Sequence, residues 1–149
     1  KRLVAKWFIN MGREKQAAGA EVDRLQIKIG NLRDAVSTLS GGNQQKIVLG
    51  KWLMNDPRVV LLDDPTKGVD VGAKAEIYEI IRTLAATGVT VILNSSDDQE
   101  LVALCDRVFV LYEGEVVTVL SGSEVTQDNL VSAALLVGTA DSAGTKGGN

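Results

Sequence analysis

The chain has 149 residues, 45% hydrophobic and 23% charged, which is enough apolar material for one folded domain and too much for a disordered chain. A net charge of −3 argues against nucleic acid as the main partner, because phosphate binding needs clustered Lys and Arg. The lack of histidine rules out a His-based zinc site, a Ser-His triad and an imidazole general base, while the single Cys105 rules out an internal disulfide and fits a reducing compartment.

From Lys1 to Ala18, Leu3, Val4, Trp7, Phe8 and Met11 fall on one helical face with Lys and Arg on the other, which predicts a helix packed on a core rather than on a membrane surface. No run is long enough to cross a bilayer and no signal-peptide pattern is present, so the chain reads as soluble or at most peripheral. Leu25, Ile27 and Ile29 then alternate, Gly30-Asn31 turns the chain, and a short helical segment leads to Leu39.

The stretch LSGGNQQK follows. Ser40, Gly41 and Gly42 stand just before a helical pattern, where two glycines admit close approach of a ligand and the first free N–H groups favour an anion. That helix is expected to bury Ile47, Val48, Trp52 and Leu53 and to stop at Asn55-Asp56-Pro57. Val59 to Leu62 is β-branched and short, which suits a strand buried on both faces. It ends in Asp63 and Asp64, at the carboxyl end of a strand, where open α/β sheets place their ligands. Taken singly, Ser-Gly-Gly is a turn and paired Asp a solvated cap; their order and spacing carry the signal.

Asp70 is placed to cap a helix in which Ile77, Ile80, Ile81 and Leu84 recur at helical spacing and which Gly88 stops. Val89 to Leu93 reads as a second buried strand. Ser96 and Gln99 have capping-box spacing for a helix from Asp97 to Cys105. Val108 to Tyr112, a turn at Glu113-Gly114 and Val116 to Leu120 give a hairpin, and a last helix runs from Gln127 to Val137, where Gly138 ends it. The small, polar tail 139–149 reads as disordered. Alternation of strand and helix from residue 58 predicts an α/β fold with parallel βα units.

LSGGNQQK resembles the signature motif of ATP-binding-cassette (ABC) ATPases, VVLLDD their Walker B strand and PTKGVD their D-loop. With GVDVGAK, the wording is most similar to the second, C-terminal cassette of the fused two-cassette ATPases that energise bacterial importers of ribose, galactose, xylose and related sugars. The resemblance covers roughly residues 20 to 138. It implies a partial P-loop NTPase fold, mostly parallel sheet with flanking helices and a C-terminal hairpin: residues 1–38 in the helical subdomain, 39–138 carrying the signature, Walker B and switch regions.

The resemblance also implies site roles. Ser40, Gly41, Gly42, Asn43, Gln44 and Asp70 would contact ATP, and Asp63 would hold Mg²⁺ through water, since a cation on a nucleotide takes one or two protein oxygens. Asp64 stands where the family has the glutamate that polarises the attacking water, shorter by one carbon, roughly 1.5 Å of reach. A misplacement of about 1 Å can cost on the order of 100-fold, or about 2.7 kcal/mol. Ser96 aligns with the switch histidine, and a helix cap alone would account for it. This cassette's own Walker B site therefore reads as degenerate, with the signature serving the nucleotide of the opposite cassette.

No G-x-x-x-x-G-K-[ST] phosphate loop occurs, so the chain reads as the C-terminal part of a cassette and is expected to be inactive alone. The implied partners are the N-terminal cassette of the same polypeptide, membrane-spanning permease subunits and, indirectly, a sugar-binding protein outside the membrane, with no nucleic acid. The implied location is cytoplasmic, on the inner face of the cell membrane. In the family, the strand that leads into the phosphate loop lies between the strands matched here by Val89 to Leu93 and Val108 to Tyr112. Its absence predicts that the hairpin moves to close the gap or that a second copy pairs with the exposed edges. A non-enzymatic interaction module derived from a cassette is the alternative; GVDVGAK and the charge disfavour the chromosome-maintenance ATPases.

Overall fold

A computed structural model of the chain describes residues 4–5, 8–9 and 11–144, and these fall into two compact units, Lys1–Ile92 and Leu93–Asn149. The α/β class expected from the sequence is what the structure has, with the strands among the described residues in three two-stranded pairs, two of them antiparallel.

In the first unit, strands β1 (Val4–Ala5) and β2 (Phe8–Ile9) pair antiparallel, and helix α1 covers Met11–Arg24. The expected single helix from Lys1 is thereby corrected, for Val, Phe and Ile favour extended backbone while the run from Met11 is rich in strong helix formers. Leu25 and Ile27 are buried as their alternation suggested, yet no strand forms there. Instead Gln26 turns left-handed (φ 49), with Ile27 N–H donating to the Val22 carbonyl at 2.9 Å and Gln26 N–H to Asp23 at 3.2 Å. This is a Schellman cap that ends α1 and leaves the Gln26 carbonyl available to another element.

A 3₁₀ turn at Val36–Thr38 supplies the short helical segment before helix α2 (Gly41–Leu53). The buried face of α2 is Gly42, Lys46, Leu49, Gly50 and Leu53, while Val48 and Trp52 are 48% and 62% exposed. Of the predicted face, Leu53 is buried whereas Val48 and Trp52 are not: the stripe is rotated and has a lysine on its axis. Strand β3 (Val59–Asp63) alternates, with Val60 and Leu62 buried and Leu61 75% exposed, so it is covered on one face and not on both. Helix α3 (Val71–Ala86) buries Ile77, Ile81 and Leu84 as predicted and leads to strand β4 (Thr90–Asn94), which pairs with β3. A strand pair joined through a helix is the connection that parallel strands require. β4 contains no fully buried residue, contrary to the buried strand predicted there.

In the second unit, helix α4 (Asp98–Leu104) precedes the antiparallel hairpin of β5 (Arg107–Tyr112) and β6 (Glu115–Ser121), found where the sequence placed it. Glu113 and Gly114 both have positive φ (49° and 84°), the backbone that a tight two-residue hairpin turn demands. β5 and β6 form a sheet of their own. Val108, Val125 and Leu130 make the core here, with Leu101, Cys105 and Leu120 packed against it. Helix α5 runs Gln127–Gly144, past the stop expected at Gly138 and into the stretch expected to be disordered. One glycine inside a helix costs only about 1 kcal/mol against alanine and stops it only where a left-handed turn follows. Residues 145–149 lie outside the described residues.

Candidate functional site

The N-terminus of α2 organises the first unit's polar chemistry. Ser40 is the N-cap in extended backbone, but its hydroxyl makes no capping bond to the helix. It accepts a hydrogen bond from Asn43 Nδ2 at 2.9 Å, and Asn43 Oδ1 in turn accepts from the Lys28 backbone N–H at 2.8 Å. Gln44 Nε2 donates to the Leu39 carbonyl at 2.8 Å, tying the approach to the helix. Ser40 and Gly41 are exposed. An exposed helix start whose cap hydroxyl is held from behind is suited to receive an anion.

The two glycines divide between an exposed side and a packing side. Gly41 faces outward, with a Cβ there 3.6 Å from the Gly68 carbonyl oxygen, an ordinary contact. Gly42 is buried, and a Cβ on it would fall under 3.0 Å from Ala73 Cβ and 3.6 Å from Val69 Cγ1. Its bare α-carbon lets α2 rest on the first turn of α3. The LSGG and PTKGVD stretches, well separated in sequence, are thereby brought together.

At the end of β3, Asp63 is exposed, whereas Asp64 is half-buried and left-handed (φ 43), a conformation that Asp tolerates better than most residues. Lys67 Nζ stands 3.4 Å from Asp64 Oδ2, and Lys67 N–H donates to the Asp64 carbonyl at 3.1 Å. Pro65 and Thr66 are buried, which anchors the turn. Asp70 Oδ1 accepts from Ala73 N–H at 2.9 Å, so its carboxylate caps α3 as predicted. Among the described residues, no group of three or more His, Cys, Asp or Glu could hold a metal. An exposed carboxylate at Asp63 fits a cation that a nucleotide already coordinates, and not an all-protein metal cage.

Sequence reading missed the ion network behind α2. Lys46 is 1% exposed, with Nζ 2.6 Å from Glu76 Oε2 on α3 and 3.1 Å from the Gln26 carbonyl. Lys28 Nζ lies 3.3 Å from Glu76 Oε1. The hydrogen bond from Lys46, then that from Lys28, holds the Glu76 carboxyl below the usual carboxylate range. The 42-46-49-53 spacing of one helical stripe is the signal the sequence holds, and the lysine within it disguises it as a polar face.

In the second unit, Ser96 is exposed and follows β4. The predicted Ser96–Gln99 capping box is replaced by a cap at Asp97, whose Oδ1 accepts from Gln99 N–H at 3.0 Å. Asp97 wins because its carboxylate reaches the second N–H of the helix directly. Ser95 accepts from Asp97 N–H at 3.0 Å and donates to Glu100, which is 1% exposed. Burial, with Asp106 and Glu100 adding, pushes the Cys105 thiol up from its ordinary value and makes it a poor nucleophile. No helix among the described residues is long and apolar enough to cross a membrane.

The family described as ABC transporter matches over residues 5–67, and solved structures of that class share the fold. One is a nucleotide-free ATP-binding cassette from an ABC transporter: TM-score 0.73 at 24% identity, covering 85% of this chain and 49% of the other. A second is MJ1267, an ATP-binding cassette in its ADP conformation, with TM-score 0.72 at 22% identity over 88% and 53% of the two chains. The chain is thus similar to ABC transporter proteins over residues 5–67 and has the fold of ATP-binding cassettes. Among curated relatives, the chain is 46% identical over 127 residues to ribose import ATP-binding protein RbsA 2 of Streptomyces avermitilis, covering 85% of this chain and 25% of the relative. It is 49% identical over 127 residues to ribose import ATP-binding protein RbsA of Ruegeria sp., again 85% and 25%. A putative ribose/galactose/methyl galactoside import ATP-binding protein 2 of Rhizobium meliloti is 44% identical over 134 residues, 89% and 26%. The chain thus spans about a quarter of the length of the relatives it matches.

Proposed function

We propose that this chain is the signature-bearing part of the second cassette of a monosaccharide-importer ATPase. Ser40 and the Gly41 backbone meet the γ-phosphate of an ATP held by the N-terminal cassette of the same polypeptide, with Asn43 and Gln44 holding them in place. The observation that carries this reading is the exposed start of α2, its Ser40 hydroxyl fixed by Asn43 and its Gly42 locked on the segment that follows PTKGVD. Donors already aimed at a phosphate before the reaction begins stabilise the charge of phosphoryl transfer without further reorganisation, and little else is asked of the protein.

Asp63 would hold Mg²⁺ at this cassette's own site, where the ion neutralises charge on the phosphates. Asp64 is a weak base for that site, because it lacks one methylene of reach and its carboxylate pairs with Lys67. Ser96 supplies no charge to a γ-phosphate, so this second site turns over slowly. The 149-residue chain alone binds no ATP, having no phosphate loop to cradle it. Permease subunits, an external sugar-binding protein and a place on the cytoplasmic face of the membrane follow from the same reading. Isolated, the chain self-associates through β3 and β4, where Val59, Leu61 and Ile92 are 49%, 75% and 53% exposed.

ATPase assays of Ser40→Arg and Asp64→Asn in the full-length ATPase test the assignment. Ser40→Arg should abolish turnover and Asp64→Asn should lower it by less than about threefold. Equal losses contradict it. Calorimetry of the isolated chain with Mg-ATP should show no saturable heat, and light scattering should report a dimer or larger species.

A further inference from the structure

Two arms meet at Lys28. Its backbone N–H holds Asn43 Oδ1, and Asn43 holds the Ser40 hydroxyl; its side chain pairs with Glu76, which also pairs with Lys46. Lys46 lies in the buried stripe of α2, and its ammonium bridges Glu76 on α3 and the left-handed Gln26 carbonyl at the end of α1. Three helices are thus pinned at one point behind the helix whose start carries Ser40. A buried ammonium has a strong directional demand, since losing its partner leaves an uncompensated charge. It therefore fixes the rotation of α2 about its axis, which apolar packing alone specifies poorly.

Resting on the signature role assigned to Ser40 above, we propose that Glu76 is a positioning residue for ATP hydrolysis: with Lys46 and Lys28 it sets the rotation of α2 and so the place at which Ser40 meets the phosphate. Glu76 touches no substrate. It acts through the chain Glu76, Lys28, Asn43, Ser40 and through the Lys46 anchor. The second residue of the pair, Lys28, needs its side chain for one arm only, so its truncation loosens the site without removing the Asn43 contact.

The test uses the full-length ATPase that carries this chain. Glu76 and Lys28 have side chains 41% and 76% exposed, and a Gln amide oxygen can still accept from Lys46, so Glu76→Gln lowers stability yet keeps the fold, as does Lys28→Met, whereas truncating buried Lys46 would mix activity with unfolding. Glu76→Gln should lower kcat/KM for ATP by about tenfold at an unchanged circular-dichroism spectrum, and Lys28→Met by about threefold. In a Ser40→Ala background, the Glu76→Gln effect should shrink to less than about twofold, because both act along one path. Wild-type kcat/KM in both variants, or a Glu76→Gln loss that persists undiminished without the Ser40 hydroxyl, overturns the proposal. If Ser40→Arg itself leaves ATP turnover untouched, the signature reading fails first; if it abolishes turnover while Glu76→Gln does nothing, only the positioning role fails.

Discussion

Substituting Gly42 with alanine tests the packing that joins the two halves of the candidate site. The added Cβ would lie less than 3.0 Å from Ala73 Cβ, and both atoms sit on helix backbone, so no side-chain rotation relieves the contact. Carbon atoms in ordinary contact stand about 3.5 to 4.0 Å apart, so α2 and α3 must part by at least about 0.5 to 1 Å. Overpacking of this kind costs about 1 to 3 kcal/mol. Alanine returns up to about 1 kcal/mol of helix propensity at an interior position, less in the first turn, so a net loss of about 1 to 2 kcal/mol is expected. Urea unfolding followed by far-ultraviolet circular dichroism measures it. Ala73→Gly alone should cost about 1 kcal/mol through propensity, yet in the Gly42→Ala background it should restore stability by removing the obstructing atom. A Gly42→Ala chain as stable as the parent, or two losses that add within about 0.5 kcal/mol, would refute the packing argument.

Asp70→Ala removes the acceptor for Ala73 N–H and should cost about 1 kcal/mol in the same assay, while Asp70→Ser, which keeps a capping oxygen, should recover most of it. Glu76 predicts a pH dependence. Its carboxyl is held below its ordinary range in the fold, so the stability it contributes is complete above that range and is lost as pH falls through the lowered folded value. The difference in unfolding free energy between the parent chain and Glu76→Gln should shrink on going from about pH 6 to about pH 3, and a constant difference would speak against the ion network.

At two turns where the controlling interaction spans only a few residues, the sequence was sufficient. Asp70 caps α3 because its carboxylate reaches an N–H three residues on, and Glu113-Gly114 turns the hairpin because two adjacent residues accept positive φ. The LSGGNQQK, VVLLDD and PTKGVD order likewise pointed to the ABC transporter family that residues 5–67 match, since a motif is residue types at set spacing. Phase and partnership were decided only in three dimensions. Apolar residues lie around much of α2, so periodicity pointed to a face with Val48 and Trp52 that is exposed, while the buried stripe carries Lys46, paired with Glu76 30 positions further along the chain. The same holds for Gly42. A pair of glycines before a helix looks alike whether it faces solvent or a neighbouring helix, and only the position of Ala73 separates exposed Gly41 from Gly42, closed by packing.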